Sequence, residues 1–507
     1  MTDRSADGPS EFDDLEARGI SCADFFDGQF VFSPGGVKRF SSWTEISLCG
    51  GILQISPALP HGTLVDREGR RIGHRLGIAI DPVSGVLADR HALPCDTGDL
   101  SAVEDWAATL AGRYLLFLDL PTTPRVIGSP SGDLVRSYCR KAKRAAATLL
   151  LALDRPIVEN PRLPHDLTEV TASFYTLGQT RDAEAFRLTP NHRLDLGTWT
   201  ETRFWPRTAD VFAPDGYRAK FRTRQIIRRL RHNATSVIDA FPTFLPLSSG
   251  RDSRNLLAVI GRGLPRLAGA YYHHYDNGFR AVFGSRFRGR IRTGMKVAMQ
   301  VAEAANVPLT PISEPPLDED LEDYPLRTGY VKSNAQPLLM NTFRSLPEGH
   351  VCLLGNVMEI LRANQWRRHP PGPAPVKSHA FQELLRLPPE LDALSRIWDG
   401  WRQEIGPLAG PHLYEMQFVE HLLPNTLGPK HYAIPHLFFM SPFADRALIV
   451  HALNYPWQTR GCIGLGGGLG DLDGDGLLDL VSSQSALRAV RAAVRRRWLW
   501  VVVSQAP

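Results

Sequence analysis

Residues Phe241–Ile260 read FPTFLPLSSGRDSRNLLAVI. An apolar run ending at Leu247 breaks into Ser248-Ser249-Gly250-Arg251-Asp252-Ser253-Arg254, then turns apolar again at Leu256, Leu257 and Ile260. The first run is too short for a helix and suits a buried strand, whereas the second set has the spacing of one helix face. Pro246 fits only at the strand's exit, because proline donates nothing to a sheet ladder. Downstream, RLAGAYYHHY reads as a strand and GMKVAMQVAEAANVPLTPI as helix, turn and strand. Alternating strands and helices predict a parallel sheet covered by helices.

A polar loop between such a strand and helix points backbone N–H groups and the positive helix end at one spot, which makes it an anion site. Ser248, Ser249 and Ser253 add hydroxyls, and Gly250 permits close backbone approach. Arg251 or Arg254 would add charge-assisted contacts. Asp252 conflicts with a bare phosphate, and Mg²⁺ bridging Asp252 to a polyphosphate removes the conflict. The G-x-x-x-x-G-K-[ST] pattern is absent, so this is not a Walker A loop. Taken alone, the loop also reads as an ordinary Ser/Gly-rich turn.

The flanking texture differs. DGQFVFSPGG, GGILQIS, GTLVDREGRRIGHRLGIAI and GRYLLFLDLPTTPRVIGSPSG are apolar runs punctuated by Gly, Pro and Asp, which predicts antiparallel strands. LSAVEDWAATLAG and RKAKRAAATLLLAL read as helices among them, giving an α+β layered domain over residues 1–207. FWPRTADVFAPDGY is a linker, followed by a basic helix marked by Phe221, Ile226, Leu230 and Ile238. Residues 208–460 hold the α/β parallel sheet and a largely helical C-terminal part, and 461–507 form an atypical Gly/Asp-rich and basic tail.

The loop resembles the SGGxDS pyrophosphate loop of the asparagine synthetase family, with Ser249 in place of the first Gly. Three further segments match in chain order: GRYLLFLDLPTTPRVIGSPSGDLVRSYC resembles the family's N-terminal sheet, FYTLGQTRDAEAFRLTPNHRLDLGTWTETRFW its L-x-P-G-H segment with Asn191 at the Gly, and MSPFADRALIVHAL its PFLD segment. The resemblance implies an N-terminal-nucleophile-hydrolase-like domain followed by a PP-loop synthetase domain. Leu247, Ser248, Ser249, Gly250, Arg251, Asp252, Ser253 and Gly355 would bind ATP. LLGNVMEILRANQW resembles the family's GExxDE turn, with Gly355 matching, Asn356 and Ile360 replacing acids, and Glu359 at the Asp position. Asp252 and Glu359 would then hold Mg²⁺, and Lys430 in LGPKHYAIP would neutralise phosphate charge.

The implied reaction is ATP-dependent amide formation through an acyl-adenylate, from a small-molecule or peptide carboxylate and an amine or ammonia, with release of AMP and pyrophosphate. Glutamine-dependent relatives begin with Cys after Met removal. Here Met1 is followed by Thr2, so the implied glutaminase is lost; Cys22 is the nearest alternative start and would require processing. Beta-lactam synthetases and lasso-peptide cyclases resemble the family without its glutaminase, and their macrolactam-type ring closure stays open here. So does a non-catalytic nucleotide-binding relative. A tRNA-thiolating PP-loop enzyme would want cysteines near the loop, and they are missing.

Other features bound the reading. The chain has 507 residues and a net charge of +5, too mild to imply nucleic acid. Its six cysteines form no CxxC pair, which speaks against a zinc ribbon or disulfide framework. The start MTDRSADGPSEFDDLEARG is no signal peptide and no apolar run reaches a membrane span, so the expectation is a cytoplasmic protein, with a homodimer left open. Arginines at 286, 288, 290 and 292 alternate, as on a solvated strand or a loop over phosphates. Tyr271, His273 and Tyr275 would share one strand face as core or pocket wall. Asp471, Asp473, Asp475 and Asp479 have partial Ca²⁺-loop spacing without the terminal Glu. Trp498 and Trp500 read as buried on the synthetase domain or as touching an anionic membrane.

Overall fold

A computed structural model describes residues 11–120, 123–134, 136–163, 176–208, 212, 219–248, 250–274, 288–313, 324–329, 336–362 and 392–455. Met1, Thr2, Ser249, Tyr275, Arg286, the acidic repeat at 471–479 and the whole 461–507 tail lie outside the described residues.

The N-terminal part contains two sheets, as the antiparallel texture predicts. The first is six-stranded, with Phe30–Ser33 between Gly51–Ile55 and Arg144–Ala146. The second is eight-stranded and centred on Arg71–Asp81 and Ala111–Leu118. Its strands pair antiparallel except at His61–Val65 and Arg90–Ala92, which run parallel. Side chains from both sheets meet in one hydrophobic cluster, with Phe30 and Phe32 packed on Phe117. The helix expected over RKAKRAAATLLLAL is corrected: Arg144–Ala146 is a strand and only Leu149–Ala152 is helical. Lys143 adopts φ +49°, which closes a hairpin onto Ser137–Cys139. Cross-strand pairing thus overrides the helix propensity of the alanines.

The parallel sheet has five strands, ordered Leu309–Ser313, Gly269–His274, Thr243–Pro246, His350–Leu353, Leu437–Met440. Every neighbouring pair is parallel. The last two strands fall in a stretch whose sequence reads as helical, because each is only four residues long and mostly apolar. Chain order runs outward in both directions from the neighbours Thr243–Pro246 and His350–Leu353. The loops after these two strands therefore diverge and leave a crevice at the carboxyl edge.

The long basic helix, Ala219–Ala240, buries Ile226, Leu230 and Ile238, but Phe221 is 49% exposed and no core mark. Its Arg229 and Asn233 both reach the buried Asp445 carboxylate, at 2.5 and 2.9 Å. Among the described residues, no helix is long and apolar enough to cross a membrane.

Buried polar contacts join the antiparallel sheets to the parallel sheet. Arg113, fully buried, donates to the Phe439 carbonyl at 2.9 Å. Asn191 has φ +65°, the left-handed conformation that glycine takes without strain. Its amide donates to Glu420 Oε1 at 2.9 Å and accepts from Arg446 Nε at 2.9 Å. Arg203 grips the same Glu420 with two contacts, at 2.7 and 3.0 Å. Burial alone would raise the Glu420 carboxyl, but Arg203 outweighs it and holds the group down at about 2.

Candidate functional site

The crevice is a cavity of about 430 Å³ at the point where strand order reverses. Pro246 and Leu247 lead into it from the 243–246 strand. Ser248, Gly250, Asp252 and Ser253 line it from the loop and the start of the Arg251–Ile260 helix. Gly355, Asn356 and Glu359 enter from the turn after His350–Leu353, and Lys430 from a short 3-10 segment, Gly428–Ala433. Residues as far apart in sequence as Asp252, Glu359 and Lys430 thus face one space.

The loop is braced by its own hydroxyls. Ser253 Oγ accepts from Ser248 N at 3.1 Å and lies 3.1 Å from Ser248 Oγ, which accepts from Gly250 N at 3.0 Å. Gly250 is the helix N-cap, and no side chain caps the helix. The positive helix end is therefore free of a capping side chain on the cavity side. Arg254 turns back onto the loop, its Nε donating to Gly250 O at 3.2 Å. The Arg251 side chain and Ser249 lie outside what the structure describes.

The second turn packs directly on the first. A Cβ on Gly355 would lie 2.9 Å from the Asp252 carbonyl carbon, so only glycine allows this approach. Val357 follows at φ +74° and is fully buried, a strained position for a β-branched residue. Asn356 O accepts from Ser441 Oγ at 2.7 Å, tying the turn to the end of the 437–440 strand. Ile360 is buried in the hydrophobic cluster.

Lys430 is half-buried and donates to Thr426 O at 3.4 Å. Burial, and secondarily the Arg113 charge, pull its ammonium down to about 8. On the other wall His273 Nε2 lies 2.6 Å from Thr342 Oγ1, and its ring meets Tyr271 edge-on at 5.5 Å. Burial and the nearby Lys430 charge lower His273 to about 4, so the imidazole is neutral at physiological pH. Tyr271, Tyr272 and His273 give this wall aromatic rings, and Phe439 also lines the cavity. Thr342 and Tyr272 carried no sequence signal; the helix Gln336–Ser345 brings Thr342 to the cleft only by folding.

The cleft holds two carboxylates, and among the described residues no group of three His, Cys, Asp or Glu is placed to hold a metal ion. Such a donor set fits Mg²⁺, which takes one or two protein carboxylates and fills the rest of its shell with water and substrate phosphate. It does not fit a tightly held structural ion.

One expectation is corrected. Arg288, Arg290 and Arg292 belong to the helix Arg288–Ala305, not to a strand or loop, and alternation does not define one face of a helix. Cys22 is 3% exposed, packed among Phe25, Phe26 and Phe40, and its thiol is raised by burial and by Glu16. A buried thiol with a raised pKa is a poor nucleophile.

Compared with known proteins, the chain matches no family model, and no curated protein matches it.

Proposed function

We propose that the chain is an ATP-dependent, AMP-forming amide ligase of the asparagine synthetase type. One observation carries the reading: the loop after one parallel strand, the turn after its neighbour and Lys430 line a single cleft where strand order reverses. ATP would lie with its phosphates on the Ser248–Ser253 loop and helix end, and its base toward the aromatic wall. Asp252 and Glu359 would hold the Mg²⁺, whose charge offsets that of the phosphates.

In the first step a substrate carboxylate oxygen attacks the α-phosphorus as the bond to pyrophosphate breaks. In the second an amine nitrogen attacks the acyl carbon, AMP leaves with the electron pair of the C–O bond, and the amine gives up a proton. This chain's residues contribute positioning and charge neutralisation, with Lys430 facing the negative charge that grows on the leaving group. The carboxylate and the amine can belong to two molecules or to one, as in ring closure.

The test is release of AMP and pyrophosphate from Mg·ATP, with aspartate plus ammonia and then with glutamine replacing ammonia. Release with ammonia alone supports the reading. Activity with glutamine would show a working glutaminase on the same chain. Nucleotide binding without AMP across a panel of carboxylates would make the protein a non-catalytic relative.

A further inference from the structure

His192 opens the strand His192–Asp195 of the eight-stranded sheet and sits opposite Arg203 on the neighbouring strand Glu201–Arg203. It is buried, with 6% exposed. Its Nδ1 lies 3.0 Å from the Pro190 carbonyl oxygen, and its Nε2 lies 3.3 Å from Glu404 Oε2 on the helix Asp392–Ala409. Arg203 donates to the same Glu404 oxygen at 3.3 Å. Two side chains of the sheet thus meet one carboxylate of the helix.

A carbonyl and an ionised carboxylate only accept, so each ring nitrogen must donate to make its contact. Neutral imidazole has one N–H and would turn a lone pair on one of the two oxygens; imidazolium satisfies both. Glu404 does not take the proton instead. Burial raises its carboxyl, but His192 and Arg203 outweigh burial and hold it below the usual carboxylate value. The other charged groups facing His192 are Arg203 and Glu201 on the neighbouring strand and Glu420 on the π-helical turn Phe418–Leu422. Three carboxylates therefore oppose two cations. His421, next to Glu420, adds no charge at neutral pH, because burial holds its imidazole down at about 3. Burial also works against a charge on His192, but the contact to Glu404 outweighs it and raises the group above its ordinary 6.5.

We propose that His192 and Glu404 form a pH-sensitive clasp between the antiparallel sheet and the helix Asp392–Ala409, closed while His192 carries both ring protons and loosened when one is lost to solvent. Without that proton Glu404 faces a lone pair on Nε2 and keeps Arg203 as its described partner. Because the folded value lies above the ordinary one, the contribution is complete below pH 6.5 and is lost as pH rises through the folded value. This does not rest on the adenylation reading.

The test is a pH titration of the full chain with labelled histidine, followed by NMR of the ring protons. The His192 signal is assigned by its loss in His192→Gln, or in His192→Asn if the first variant does not fold. Its midpoint is expected above 6.5 in the parent and should move down in Glu404→Gln, a change at a side chain that is 43% exposed. Hydrogen exchange supplies the second readout. Corrected for the intrinsic pH dependence of exchange, amide protection in the helix Asp392–Ala409 should fall by about fivefold or more as pH crosses the parent's midpoint. That step should be missing in Glu404→Gln. A parent midpoint at or below 6.5, a midpoint that Glu404→Gln leaves in place, or a protection step absent from the parent or kept in Glu404→Gln would overturn the proposal.

Discussion

Gly355 packs against Asp252 with no room for a side chain: a Cβ there would lie 2.9 Å from the Asp252 carbonyl carbon and 3.0 Å from its Cβ. The contact joins the two loops that line the cleft. Gly355→Ala must push backbone from backbone, and we expect it to cost about 1–3 kcal/mol in urea unfolding. It should also weaken ATP binding by separating the loops. Gly400 is the contrasting case, exposed on the helix Asp392–Ala409 with nothing within 4 Å of a built Cβ. Gly400→Ala should stabilise by about 0.5–1 kcal/mol. Equal responses at the two sites would show the Gly355 contact to be unimportant.

The two carboxylates should act with opposite sign depending on the metal. With Mg²⁺ present, Asp252→Ala and Glu359→Gln should each weaken ATP binding by about tenfold or more. In EDTA the same variants should bind ATP as well as the parent or better, because a negative charge facing the phosphates has been removed. Calorimetry in both buffers decides it; weakening in EDTA would argue against a metal-bridging role.

Lys430 predicts a pH dependence. Burial and Arg113 lower its pKa to about 8, so the free protein loses this charge as pH rises through that value. ATP affinity should fall over that range in the parent and stay flat in Lys430→Met. Stability should move the other way. The unfolded chain keeps this proton up to about pH 10.4, so between the two values it binds more protons than the folded chain, and stability rises with pH. Urea midpoints across this range should show the rise in the parent and lose it in Lys430→Met.

Asn191 separates backbone from side chain. Asn191→Gly keeps the φ +65° conformation but loses the contacts to Glu420 and Arg446, whereas Asn191→Ala loses both. Alanine should be less stable than glycine by about 1–2 kcal/mol, the cost of a left-handed residue. A more stable alanine variant would mean that the backbone relaxes there.

Glu420 predicts part of the acid limb of stability. Its carboxyl is held at about 2, Arg203 outweighing the opposing effect of burial. Because the folded value is depressed, this contribution is complete above the ordinary carboxylate value of about 4.3 and is lost as pH falls toward the folded one. Glu420→Gln leaves the buried Arg203 with Glu404, at 3.3 Å, as its remaining carboxylate among the described residues and should cost about 3 kcal/mol or less at neutral pH. It should also flatten the acid limb in a thermal-melting series from pH 6 to 2.

Part of this architecture is legible residue by residue. The 243–246 strand and the 251–260 helix show in the sequence because the apolar period changes across a polar break, and that change is local. The segment 144–152 misleads, since its alanines favour a helix until Ser137–Cys139 pairs with it. The strands 350–353 and 437–440 are hidden because four mostly apolar residues are compatible with either element.

By itself, the sequence determined a strand–loop–helix with hydroxyls, a glycine and Asp252 at its turn, and the antiparallel texture before it, because these depend on local period and backbone preference. It took folding to show that Gly355 closes onto Asp252, that Glu359 and Lys430 face the same cleft, and that Thr342 and Tyr272 join His273 on its far wall. Those relations depend on strand order and on close packing between segments about a hundred residues apart, where no local preference reaches.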